Sequence, residues 1–152
     1  MLEAVSCLLA HIRGDYFMER REVTITFKSH MYDTDEQIDI SAKGTYFRKD
    51  DKHCVMYTEA VDGGPDVRNI LKFDAESLDV SKISITRTNM FYKAGHIHED
   101  VYRTPLGEYD MRIQTEEYAL FDTGHSIDII IVYNLELGGA HISKCRGEIK
   151  VV

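Results

Sequence analysis

One carboxylate and one guanidinium, Glu59 and Arg87, stand in segments that otherwise alternate apolar and polar residues. At a period of two, Val55, Tyr57 and Glu59 share a face, and Ile83 and Ile85 share one with Arg87. Tyr102 pairs in phase with Thr104, Tyr109 with Met111, Ile113 and Thr115, and Tyr133 with Ile127, Ile129 and Ile131. If these faces line one interior, the groups that converge there are Tyr57, Glu59, Arg87, Tyr102, Thr104, Thr115 and Tyr133. A charge in an apolar interior is costly unless paired, so Glu59 and Arg87 are the expected couple. Such a cluster either closes one end of a filled core as a polar network or orients the polar end of a small ligand. Small residues at Ala42 and Gly44, in phase with Ile38 and Ile40, favour some open space.

Other chemistry is weaker. In YRTPLGEYDMRIQT (residues 102–115) Pro105 fixes its own φ and Gly107 permits the turn that follows, so the segment is a corner that positions its neighbours and does not react. His96 and His98, with Asp100, form an H-x-H pair that would need a third ligand from His53, His125 or His141 to hold a metal. Beside acids and after a Lys-Ala-Gly turn they are read as solvated, and no metal or other cofactor is expected. No GxSxG elbow occurs, and Gly138-Gly139 lacks the lysine of a phosphate-binding loop and is read as a hairpin turn. An enzyme using Glu59 and the tyrosines is therefore the weakest reading, because a carboxylate holding a cation is not free to take a proton. No catalytic residue is assigned.

The elements that must position the cluster are strands. VTITF (residues 23–27) and IDISAKGTYF (residues 38–47) alternate cleanly. Further candidates span 54–60, 67–73, 80–87, 89–93, 98–104, 108–115, 126–137 and 142–151, separated by turn-prone clusters such as DTDEQ, KDDK and DGGPD. About ten short strands with no helical period between them imply an all-β fold. Closing them into an antiparallel up-and-down barrel of about eight to ten strands, or folding them into two packed sheets, removes the exposed edges of a flat sheet, and the barrel is the expected form. Ile130 and Val132 make the strand at 126–137 apolar on its second face too, which implies a cover outside the barrel. Leu2, Val5, Leu9 and Ile12 recur at helical spacing, so a short helix in an N-terminal extension, residues 1–21, is the expected cover for a barrel domain of residues 22–152.

Composition narrows the partners. Hydrophobic residues make up 43% and charged residues 29%, an ordinary balance for a folded domain. With 26 acidic against 18 basic residues the net charge is −8, which repels nucleic acid and anionic membranes, and no basic face offsets it. The three cysteines show no metal spacing and are expected to be free buried thiols of a cytoplasmic protein. The N-terminal apolar run is too short for a membrane span and follows Glu3 where a signal peptide carries positive charge. The preferred partner is thus a small apolar or amphipathic molecule bound without reaction. The alternative is a filled barrel whose outer face or N-terminal helix docks another protein or a second copy, giving a homodimer.

YTEAVDG (residues 57–63), VRNILKF (67–73), ISITR (83–87), YRTPLGEYDMRIQT and DIIIVYNL (128–135) follow one another in the order seen in the YwiB-like family. The chain resembles that bacterial family, of unknown function, from about residue 22 to residue 150. The resemblance implies a calycin-type, lipocalin-like barrel and transfers no activity. Two departures stand out: Asn89 occupies a position where the family often has glycine, and the N-terminal extension lies outside the pattern.

Overall fold

A computed structural model describes residues 19–104 and 106–152 of the 152. Ten strands follow in chain order: β1 (Arg21–Met31), β2 (Glu36–Lys49), β3 (Lys52–Glu59), β4 (Val67–Phe73), β5 (Ser77–Ile83), β6 (Arg87–Lys93), β7 (Ile97–Thr104), β8 (Gly107–Asp122), β9 (Ile127–Leu137) and β10 (Ala140–Val151). Every paired neighbour is antiparallel, in the order β6-β5-β4-β3-β2-β1-β10-β9-β8-β7. This is an up-and-down meander in which, among the described residues, the only non-sequential pairing joins β1 to β10, locking the first described strand to the last.

The expected closed barrel is nearly, not fully, closed. β6 and β7 are consecutive and face each other, yet no ladder joins them. Side chains replace it: Asp100 Oδ2 accepts the Asn89 amide at 3.2 Å, and His98 Nε2 lies 2.9 Å from the Asn89 carbonyl. The turn of this hairpin docks on β8 instead, through backbone bonds between Gly95 and Thr115 and between Thr115 and His96. The described residues contain no helix. The expected N-terminal helix and most of its extension lie outside the described residues, while β1 opens at Arg21, one residue before the expected start of the barrel.

The turns follow backbone chemistry. The β2–β3 hairpin puts Asp50 and Asp51 at φ 55° and 63°, and the β9–β10 hairpin puts Gly138 and Gly139 at 61° and 82°, the left-handed pairs that match strand twist. At the β7–β8 corner, the Thr104 hydroxyl donates to the Gly107 carbonyl at 3.0 Å and accepts the Leu106 amide at 3.1 Å.

Two strand readings change. The segment 80–87 is not one strand: Ser84 N donates to Thr86 O at 2.9 Å in a hairpin turn, β5 ends at Ile83 and Arg87 opens β6. β8 runs on to Asp122 because a bulge between Thr115 and Glu117 absorbs the break in alternation. The inward face therefore passes from Met111, Ile113 and Thr115 to Tyr118 and Leu120.

The core is a single cluster lining the barrel, with Ile25, Val55, Leu71, Phe73, Leu78 and Ile129 almost wholly buried. One end is plugged. His53 stacks on Phe73 with ring centroids 5.2 Å apart, and Tyr46 Oη lies 2.7 Å from its Nδ1. Tyr118 reaches across from β8 to donate to the carbonyls of Asp74 and Ser77, at 2.8 and 3.0 Å. Burial first, and then the Arg48 charge, hold the His53 imidazole below its ordinary range. The two described thiols, Cys54 and Cys145, are free and buried.

Candidate functional site

The opposite end holds a cavity of about 280 Å³. Its walls are apolar, built from Phe27, Leu78, Val80, Met90, Ile131 and Ile149. Its polar side is a cluster on three adjacent strands. Glu59 of β3 accepts Asn69 Nδ2 at 2.7 Å and Lys82 Nζ at 3.3 Å, and Lys82 also donates to Asn69 Oδ1 at 2.8 Å. Asn69 is fully buried, and Lys82 and Glu59 keep 38% and 34% of their side chains exposed. The carboxylate and the ammonium thus neutralise each other at the water boundary, held apart from the apolar wall by a buried amide.

Tyr57, Tyr92 and Tyr133 add hydroxyls. Burial pushes all three phenols well above their ordinary range, so they remain protonated hydrogen-bond donors. Tyr92 meets Tyr133 edge-on at 5.1 Å, and Tyr57 tilts against Phe27 at 5.6 Å. Directly across the ladder from Tyr133, Thr115 is 1% exposed, and its hydroxyl has no partner among the described residues.

Of the residues expected from sequence, Tyr57, Glu59 and Tyr133 line this cavity, and Thr115 is buried on the same inward face. Arg87 does not join them. It lies exposed on the outer surface, donating to Asn89 Oδ1 and Ser81 Oγ, each at 3.2 Å. The expected Glu59–Arg87 couple is replaced by Glu59–Lys82. The reason is parity: the turn at residues 84–86 breaks the run, and the inward face of β5 carries Leu78, Val80 and Lys82, not Ile83 and Ile85. Ile85 is 84% exposed. Tyr102, 39% exposed, and Thr104, spent on its turn, also stay outside the cluster, at the far end of β7. Gly44 does not leave room either, since a Cβ there would meet the Met56 carbonyl oxygen at 2.8 Å.

Sequence reasoning missed Lys82, Asn69 and Tyr92. Asn69 was readable: it interrupts the apolar phase of Leu71 and Phe73 on a strand otherwise buried on that face. Lys82 required the turn to be recognised first.

The described histidines do not assemble. His98 serves the β6–β7 seam, His96 packs edge-on against Phe91, and His141 pairs with Asp33 at 2.8 Å. No group of three or more metal-ligating side chains converges among the described residues. A larger cleft of about 610 Å³ is lined by Glu99, Asp100, Asp110, Arg112 and Glu136 together with Val101 and Met111, and Arg112 bonds its ladder neighbour Glu136 at 3.2 Å.

A nearly closed ten-stranded antiparallel barrel with a polar-edged apolar cavity defines the structural class. Residues 23–149 match the model of the family described as a domain of unknown function (DUF1934), and the chain belongs to that family. The crystal structure of the ywiB protein from Bacillus subtilis superposes with a TM-score of 0.76 at 23% identity, over 88% of this chain and 93% of that one, so the two share the fold. Comparison with curated proteins returned no match. No helix among the described residues is long and apolar enough to cross a membrane.

Proposed function

We propose that the protein holds a small, partly apolar molecule in the barrel interior and carries out no reaction on it, the lipocalin-like mode. The observation that carries this reading is the pairing of one apolar cavity with one polar cluster at its side. Ligand sites are generally concave and apolar with a few convergent polar groups that fix orientation. Here the apolar part would lie against Leu78, Val80 and Ile131, and a hydrogen-bonding head against Tyr57, Glu59 and Lys82. At about 280 Å³ the space falls just under the usual range of such sites, roughly 300–1,000 Å³, and suits a small occupant. The head is expected to be uncharged, because Glu59 and Lys82 already balance each other and a net charge added there would lack a counterion.

Titration with the neutral dye N-phenyl-1-naphthylamine tests it. Saturable fluorescence enhancement is expected, and Val80→Trp, which fills the cavity, should abolish it while circular dichroism shows the fold intact. Enhancement that does not saturate, or is unchanged in folded Val80→Trp, would show that the cavity is not the binding site.

A further inference from the structure

The cavity has a side entrance, and along it runs a strand edge that no described strand covers. The β2–β3 ladder begins at Lys49–Lys52 and stops at Thr45–Met56, although both strands continue beyond it. From that point they part. On β2, residues 36–44 pair with β1 alone, and no described strand occupies their other edge. Both lips of this split face the cavity: Ile38 and Ile40 from β2, Tyr57 and Glu59 from β3. Ile38 and Ile40 are 45% and 40% exposed, unusual for isoleucines on the inner face of a barrel strand.

Backbone directions follow from the register. Thr24 and Val152 exchange both of their hydrogen bonds, so the backbone groups of Thr24 point to β10 and those of its neighbours Val23 and Ile25 point to β2. The pairs Ile25–Ala42, Phe27–Ile40 and Ser29–Ile38 are then the bonded ones. The amides and carbonyls of Gln37, Asp39, Ser41 and Lys43 consequently point into the split. An open edge of this kind is a template for another strand.

We infer that the split is a docking site for an extended peptide, which adds as a strand to β2 and places an apolar side chain in the cavity. Main-chain bonds to an edge supply affinity in this mode, and pockets for alternate side chains supply specificity. The inference rests on the cavity being a binding site and names the class of its occupant: an aliphatic or aromatic side chain carried on a strand, with the uncharged peptide amide as the head that meets Tyr57 and Glu59. The occupant must be a lone strand. A second copy's β2 carries β1 on its other edge, and that β1 would fall on β3. With a net charge of −8, this chain favours a partner with basic residues at the alternate, outward positions.

The test uses a fluorescein-labelled peptide alternating lysine with valine or leucine, the same peptide N-methylated at alternate amides, and the naphthylamine dye, each with the full chain. Saturable binding of the unmethylated peptide by fluorescence anisotropy is expected, weakened at least roughly tenfold, about 1.4 kcal/mol, by methylation and by Ile40→Lys. Ile40 is exposed, so that variant is expected to fold. Dye binding without peptide binding, or peptide binding indifferent to methylation, would overturn the strand inference and leave the cavity reading standing. Failure of both probes on folded protein would overturn both.

Discussion

Asn69 is the side chain on which the polar cluster turns. It is fully buried, donates to Glu59 and accepts from Lys82, so it holds an acid and a base in register where neither could be packed against hydrocarbon alone. Asn69→Ala leaves two charged groups short of a bond and is expected to lower stability by roughly 1–3 kcal/mol in urea unfolding. Lys82→Met, at a side chain more than a third exposed, should cost under about 1 kcal/mol, because water screens much of the ion pair. Equal losses in the two variants would show that the amide bridges nothing. The same residues mark how far the site was legible. Tyr57, Glu59 and Tyr133 could be found by alternation because each lies on an unbroken strand with a strong apolar phase. Arg87 was misplaced because parity was carried through a turn, and Lys82 was missed by the same step.

At the scale of elements, the opening of the barrel is decided where β2 leaves β3. Gly44 stands at that point, with no room for a Cβ between the Met56 carbonyl and the Tyr57 and Val55 side chains. Gly44→Val would force the strands apart and is expected to cost roughly 1–3 kcal/mol, the usual range for overpacking. Hydrogen exchange provides the local check: the amides of Thr45 and Met56 should exchange faster in the variant, and unchanged protection would show that the close approach is not structural. The ten strands were legible as elements because turn residues punctuate them at short intervals. Their ends were less so. The bulge in β8 and the turn after β5 change phase without a proline or glycine to announce it.

For the whole molecule, buried titratable groups set the pH range of stability. Burial pushes Cys54 and Cys145 upward from the ordinary 9.0 and Tyr57, Tyr92, Tyr118 and Tyr133 upward from the ordinary 10.0, so the unfolded chain loses these protons more readily and stability falls as pH rises above about 9. His53 is held below the ordinary 6.5, so the unfolded chain takes up its proton first and stability falls as pH drops below about 6.5. Urea midpoints are therefore expected to be flat between these limits and to decline on both sides. His53→Gln should make the acid decline shallower. An acid limb unchanged by that substitution would place its origin elsewhere.

Alternation, turn chemistry and charge are local or summed properties, and from them came the all-β class, a count of about ten strands and the inward placing of Tyr57 and Tyr133. Which charged groups meet, where the barrel stays unsealed and which strand edge is left bare depend on register between segments distant in sequence. A slip of one residue reverses every side chain on a strand. Only the folded arrangement settles those phases, and it exchanged Arg87 for Lys82 as the partner of Glu59.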